Sequence, residues 1–307
     1  MKLINDSIDF DSYLNGTNEN ANVRPASEYA DEVIESFNSQ DASVVGCRLP
    51  WLKTEEQFRI RTGEVSLWSG FNGSGKSMVL NQVCTSLMKQ GQRVCIASME
   101  MLPVSTMKRM SRQTNGSSHP TDDYIRDFHT WTNNKLWLYN QQGTVSSERI
   151  LGVIRYATVE LGVTQFVIDS LMKCGINEDD YNGQKRFIDK LCAVAKDQKC
   201  HIHLVVHSRK SQDEKAPPSK MDVKGSGSIT DQVDNVWTCW RNKPKELEIE
   251  TGKASQETKD KPDALLICDK QRHGEWEGRI ALWYDKPSFR YKGSQNEKVW
   301  SLTLDGK

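Results

Sequence analysis

The 307-residue sequence predicts an α/β fold: a mostly parallel, twisted sheet flanked by helices, with one short helix ahead of it. Three observations predict it. Gly70-Phe71-Asn72-Gly73-Ser74-Gly75-Lys76-Ser77 stands between an apolar run and an amphipathic one. From 64 to 207, short apolar runs alternate with stretches of helical periodicity, as a parallel sheet with crossover helices requires. One of those runs, Gln165–Asp169, ends in a carboxylate.

The elements follow in order. Residues 1–26 are rich in Asn and Asp and are expected to be an acidic flexible tail or a docking segment. Residues 1–46 carry two basic and nine acidic side chains, a net of −7; the whole chain sums to zero, so the remainder carries +7. Ser27 is placed to cap a helix bearing Ala30, Val33, Ile34 and Phe37 on one face. So short a helix cannot bury that stripe alone, so it packs on the chain's own body or on another subunit, and both readings stay open. Residues 27–46 form a linker helix and connector, 47–295 one domain and 296–307 a tail. Within the domain, Glu64–Ser69 reads as a strand, and Met78, Val79, Val83, Leu87 and Met88 mark the next helix. Strands are expected at Arg93–Ser98, Leu136–Tyr139, Gln165–Asp169 and His201–His207. Helices are expected at Pro103–Thr114, Asp122–Trp131, Val145–Leu161 and Asn182–Gln198. A basic loop over 208–226 leads to strands at Asn235–Trp240, Ala264–Asp269 and Arg279–Tyr284, with 243–262 as a charged, mobile hairpin tip.

Composition narrows the class. Hydrophobic residues are 36% and charged residues 27%, which suits a soluble globular protein. No apolar run approaches the ~18 residues of a membrane span, and MKLINDSIDF has no apolar signal core. The eight cysteines form no C-x-x-C pair, which argues against a zinc ribbon and reads as reduced thiols in a cytoplasmic setting. Nothing in the start indicates mitochondrial import. Zero net charge gives no global sign of a nucleic-acid binder, while a positive body remains compatible with a polyanion.

The octapeptide matches G-x-x-x-x-G-K-[S/T], a Walker A phosphate loop, in the strand-to-helix context it needs. Gly70, Asn72, Gly73, Ser74 and Gly75 would let backbone N–H groups converge on phosphates, with a helix N-terminus behind them. Lys76 would reach the β- and γ-phosphates, and Ser77 would help hold Mg²⁺. The expected cofactors are thus ATP and Mg²⁺. Asp169, at the carboxyl end of its strand, has the Walker B form and is expected to share the metal with Ser77; a turn-capping Asp is the plainer alternative. Glu100 follows the second strand, where a carboxylate could polarise an attacking water. His207 ends the strand after Asp169 and could sense a γ-phosphate. His201 and His203 on that strand read as core histidines, with no acidic or Cys partner near to make a metal site. Lys270 and Arg272 follow a late strand, at the end of the domain away from the Walker loop. There a cation could reach a neighbour's phosphate if subunits pack head to tail.

Taken in order, the Walker A loop, Glu100, FVIDS, VVHSRK, VKGSGSITDQVD and DKQRHGEWEG resemble the RecA-type helicase domain of DnaB-like replicative ring helicases, close to the phage primase-helicase. The resemblance runs over roughly 27–290. It implies a RecA-like core, Glu100 as general base, His207 as sensor, and Lys270 and Arg272 acting in trans. It also implies loops around 172–184 and 209–227 that line a DNA channel, with Arg209, Lys210, Lys220, Lys224 and Gly225 on single-stranded DNA. The linker helix would dock on the adjacent subunit of a homo-hexamer or similar ring. The activity implied is ATP-dependent 5′→3′ translocation and unwinding in replication, with other replisome proteins as candidate partners and no membrane. No primase or zinc-binding domain is present, so priming is not expected. Two other classes share most of these motifs: a RecA- or KaiC-like ATPase that forms rings or filaments without unwinding, and an ATP-gated replisome scaffold or loading partner.

Overall fold

A computed structural model describes residues 8–13, 25–39, 45–209, 215–225 and 227–304. Its centre is a nine-stranded sheet in the order β3-β2-β4-β5-β1-β6-β7-β8-β9. The strands are β1 (Val65–Ser69), β2 (Val94–Ser98), β3 (Leu136–Leu138), β4 (Gln165–Asp169), β5 (His201–Val205), β6 (Asn235–Arg241), β7 (Ala264–Gln271), β8 (Gly278–Asp285) and β9 (Arg290–Lys292). β1 to β6 run parallel; β7, β8 and β9 add on as antiparallel strands. The central parallel strands are buried end to end, as a sheet with helices on both faces must be.

The helices are α1 (Ala30–Asn38), α2 (Lys76–Lys89), α3 (Pro103–Asn115), α4 (Asp122–Trp131), α5 (Ser147–Leu161), α6 (Tyr181–Asp197), α7 (Ser228–Gln232), α8 (Lys243–Glu250) and α9 (Gln256–Asp260). Strand alternation sorts the core into two faces. Phe166 and Ile168 of β4 join Ile150 and Ile154 of α5 and Phe187 and Leu191 of α6. Val167, between them, faces the opposite cluster with Val83 of α2, Met110 of α3 and Phe128 of α4. Among the described residues no helix is long and apolar enough to cross a membrane.

Two expectations change. Ser27 does not cap α1: it sits inside a 3-10 turn, Ala26–Tyr29, that runs straight into the helix. Residues 243–262 are not a hairpin tip but two helices, α8 and α9. Asn242 and Ser255 cap them, and the buried Lys245 pairs with Asp263 at 2.7 Å. Part of the acidic tail docks: Phe10 is buried, edge-on to Tyr139 and Tyr156. The last segment also lies against the domain, with the Leu302 N–H donating to Thr114 O at 2.7 Å. The α1 stripe, in contrast, stays uncovered by the described residues: Val33, Ile34 and Phe37 are 49%, 58% and 85% exposed.

No disulfide joins the eight cysteines, and seven of them are buried. Burial pushes the thiols of Cys84, Cys174, Cys200, Cys239 and Cys268 up to about 12 and that of Cys192 to about 11.

His201 and His203 are fully buried and form a neutral network. The Trp68 indole N–H can only donate, so Nδ1 of His203 accepts from it at 3.2 Å, and Nε2–H donates to Gln165 Oε1 at 3.1 Å. Nδ1–H of His201 donates to the Arg61 carbonyl at 2.6 Å, while Nε2 accepts from the Ser66 hydroxyl at 2.8 Å. A proton on His203 Nδ1 would face the indole N–H. Burial lowers His201 to about 4 and His203 well below its ordinary value of 6.5. Between those values the unfolded chain binds more protons, so stability is complete above pH 6.5 and falls as pH drops toward 4. His201 alone corresponds to about 3 kcal/mol. Urea denaturation at about pH 7 and about pH 4.5 should show the loss, and it should be smaller in His203→Gln. Equal stabilities at the two pH values would contradict it.

Candidate active site

A cavity of about 870 Å³ opens at the carboxyl edge of the parallel strands. Its floor is the loop between β1 and α2. Gly70, Gly73 and Gly75 all have positive φ, and at Gly70 the need is severe. A Cβ there would overlap the Cys239 carbonyl oxygen of β6 and the Ser74 hydroxyl. Gly70→Ala should therefore cost at least about 1–3 kcal/mol of strain and weaken nucleotide binding with it. Denaturant unfolding together with nucleotide titration tests both; wild-type values in each would show that the loop tolerates a side chain.

Lys76 is buried in this floor, and its ammonium donates to Gly70 O at 2.8 Å and Phe71 O at 2.9 Å. Burial lowers its pKa, opposed by Cys239, Asp169 and Glu100. Ser77 Oγ donates to Asp169 Oδ2 at 2.7 Å, so the two expected metal ligands meet although 92 residues separate them. Burial raises the Asp169 carboxyl, and the Ser77 hydrogen bond opposes that rise. The sheet order explains the meeting: β5 alone lies between β1 and β4. These oxygens, with no nitrogen or sulfur ligand among them, suit a hard cation such as Mg²⁺. Ser74 Oγ is buried under the turn of the loop beside Gly70, with no hydrogen-bond partner among the described residues.

Glu100 enters from the end of β2, next to β4. Ser170 Oγ donates to its Oε1 at 3.0 Å, and Nε2 of His207 stands 3.7 Å from the same oxygen. The imidazole and then the hydroxyl hold the Glu100 carboxyl below its usual range, against the effect of burial. It is therefore an ionised acceptor at the mouth of the phosphate cradle.

A family described as an AAA domain matches residues 47–213. The chain belongs to the AAA domain family. Two solved structures share the fold. The ATPase domain of a phage helicase superposes with a TM-score of 0.71 at 15% identity, over 88% of this chain and 99% of that one. A DnaB-like replicative helicase, described with its interactions with primase, superposes with a TM-score of 0.69 at 16% identity, over 92% of this chain and 75% of that one. The RecA-like architecture expected from the sequence is the one observed.

The remaining candidates are located by the structure as follows. Arg209 and Lys224, expected on DNA, line the nucleotide cleft itself. Arg209 donates to Gly225 O at 3.2 Å, and Lys224 pairs with Glu178 at 2.6 Å. Gly225 itself has a positive φ, and a Cβ there would overlap Gln184 Oε1. Lys220 is exposed on a 3-10 turn, Lys220–Asp222, and Lys210 lies outside the described residues. The backbone ties this loop to the stretch that follows β5. Lys224 N–H donates to His207 O at 2.8 Å, Arg209 N–H to Asp222 O at 2.7 Å, and Ser208 bridges Val223.

Lys270 and Arg272 lie at the opposite edge of the sheet. Gln271 pairs with Asn235 at the start of β6, whereas the Walker loop packs on Cys239 near its end. At ~3.3 Å per residue, roughly 15 Å of strand separates them. Nζ of Lys270 donates to the carbonyls of Thr230, Asp231 and Val233 at 3.0, 2.7 and 2.7 Å, closing the end of α7. Nε of Arg272 stands 3.1 Å from the buried carboxylate of Asp234. Burial, with Arg272 beside it, lowers the Lys270 pKa.

Three cleft residues carry no motif signal. Arg109 of α3 and Lys173 line the cavity, and Arg241 at the end of β6 borders both it and a small recess with Gly73, Met78, Tyr284 and Tyr291.

Proposed function

We propose that the chain is an ATP-driven translocase on single-stranded DNA that unwinds duplex ahead of it, 5′→3′, as a ring of identical subunits. The observation that carries this reading is the ladder from His207 to the loop at 220–225, which makes the wall of the phosphate cleft and the basic loop one piece of backbone. Gain or loss of a γ-phosphate beside His207 and Glu100 thereby shifts Lys220 and its neighbours. The Walker loop cradles the triphosphate, with Lys76 on its outer phosphates. Ser77 and Asp169 hold the Mg²⁺, which supplies charge neutralisation there. Glu100 orients and deprotonates the attacking water. Arg241, Met78 and Tyr284 flank the end of the cleft where a base would lie. Lys270 and Arg272, at the far edge of the sheet, suit a head-to-tail neighbour, and the bare stripe of α1 suits docking on another copy. The fold it shares with a DnaB-like replicative helicase supports the same reading, and contact with primase is the partner that structure suggests.

Unwinding of a forked duplex tests the proposal. Strand release should require ATP and a free 5′ tail and be absent in Lys76→Ala. ATP turnover stimulated by single strand without strand release would leave a DNA-dependent ATPase. Turnover indifferent to DNA would remove the nucleic-acid role.

A further inference from the structure

The phosphate chemistry uses only one side of the cleft. Glu100, Asp169 and His207 stand at or just past the ends of β2, β4 and β5, all on one side of β1. Arg241 ends β6, on the other side of β1. A triphosphate lying along the Walker loop with its γ-phosphate at Glu100 therefore points its base toward Arg241. The recess that Arg241 borders there also holds two carboxylates that no phosphate step uses, Glu246 and Asp263.

The two carboxylates belong to one frame. Arg241 Nε donates to Glu246 Oε1 at 2.5 Å. Glu246 lies in the first turn of α8, which Asn242 fixes by accepting from Lys245 N–H at 3.1 Å and donating to Pro262 O at 3.0 Å. Lys245, next to Glu246, is buried and pairs with Asp263 Oδ1, while Asp263 Oδ2 accepts from Tyr284 N–H at 2.8 Å. The segment 242–263 thus reaches both Arg241 and the backbone of Tyr284, two of the residues around the recess. The Arg241 and Glu246 side chains are 43% and 31% exposed, so their pair adds little to folding. Its effect falls on order. A hydrogen bond at Nε leaves the terminal nitrogens and the planar face of the guanidinium to a ligand. An arginine already held in this way has less freedom to lose when the ligand arrives.

We propose that Glu246 is a positioning residue for the nucleotide: it holds Arg241 at the base end of the cleft, an assignment that rests on the nucleotide part of the proposed function and not on its DNA part. The insertion that carries α8 and α9 thereby sets the affinity for the nucleoside half of the ligand. The Walker loop sets the affinity for the phosphate half.

Calorimetric titration of the full chain with Mg²⁺ tests it, using a non-hydrolysable ATP analogue and, separately, inorganic tripolyphosphate. Glu246→Ala should weaken the analogue roughly 2- to 12-fold, the span for ordering one side chain on binding. Tripolyphosphate should not weaken, because removing a negative charge by itself favours an anion. Glu246→Gln removes the same charge but keeps an acceptor for Arg241 Nε, and it should restore the analogue. The double variant Arg241→Ala/Glu246→Ala should bind the analogue no more weakly than Arg241→Ala alone, since Glu246 acts through Arg241. Thermal unfolding of each variant controls for folding. Wild-type or tighter analogue binding in Glu246→Ala, an equal loss for tripolyphosphate, no rescue by Glu246→Gln, or additive losses in the double variant overturns the positioning role while leaving the Walker site standing. If the wild-type chain binds neither ligand, the nucleotide reading falls first and the positioning role with it.

Discussion

Glu100→Gln is expected to bind ATP as wild type does and to hydrolyse it at least about 10²-fold more slowly, the lower bound for losing a general base. The amide keeps the size of the side chain and can still accept from Ser170 Oγ, so the cradle around Lys76 and Ser77 is undisturbed. What it loses is the ionised oxygen that His207 and Ser170 hold below its normal pKa. The sign of the pH effect follows. A depressed carboxyl stays ionised to lower pH, so wild-type turnover should fall only in acid below the ordinary glutamate range. Serine at 170 is the secondary control: Ser170→Ala should raise the acid limb of the pH–rate profile while sparing binding. Single-turnover hydrolysis with nucleotide affinity measured alongside checks both. Near-normal turnover in Glu100→Gln would remove the base assignment and leave the phosphate loop and Asp169 standing.

The larger effect is expected at the other edge of the sheet. An arginine supplied to a neighbour's transferring phosphate contributes on the order of 10³–10⁵ in rate in other phosphoryl-transfer enzymes. Arg272→Ala should bind ATP and hydrolyse it slower by that order; Lys270→Ala should follow less severely. Arg272 also pairs with buried Asp234, whose other oxygen accepts the Val65 N–H at 2.9 Å. Removing the guanidinium therefore has a folding cost that has nothing to do with catalysis. Arg272→Lys separates the two, because an ammonium can stay beside Asp234 but cannot form the planar fork. It should recover the unfolding midpoint and not the rate. Mixing supplies the trans test. Lys76→Ala subunits offer an intact Arg272, and Arg272→Ala subunits offer an intact Walker loop, so exchanged mixtures should hydrolyse in a single turnover what neither does alone. No recovery, with exchange shown, would confine Arg272 to its bond with Asp234.

Much of this is legible because strands and helices here announce themselves locally. QFVID reads only as a buried strand, and its terminal carboxylate has one natural partner across the sheet. The alternation from Glu64 to His207 sets the layers before any contact is known. Other parts depend on residues distant in the chain. Arg109 and Arg241 reach the cleft from a helix and a strand end whose sequences, PVSTMKRM and NVWTCWR, resemble any amphipathic or apolar segment. Charge alone marks the basic loop, and charge does not distinguish Arg209 and Lys224 at the cleft wall from Lys220 on the surface. The helices over 243–260 have local signals, Asn242 before Pro244 and Ser255, that their density of charge obscures. Ser27 fails as a cap because the chain tightens into a 3-10 turn first, a choice of backbone that composition does not encode.

The thiols have a practical consequence. The reactive form of a cysteine is the thiolate, and in the folded chain burial suppresses it at every position from Cys84 to Cys268 that it shifts. A maleimide should find the native protein nearly inert and react only as segments open, so alkylation rates would report local breathing of the sheet. The same inertness makes the chain a ready host for one added cysteine on an exposed face. A single dye placed near Phe37 could then follow assembly without first stripping the natural thiols.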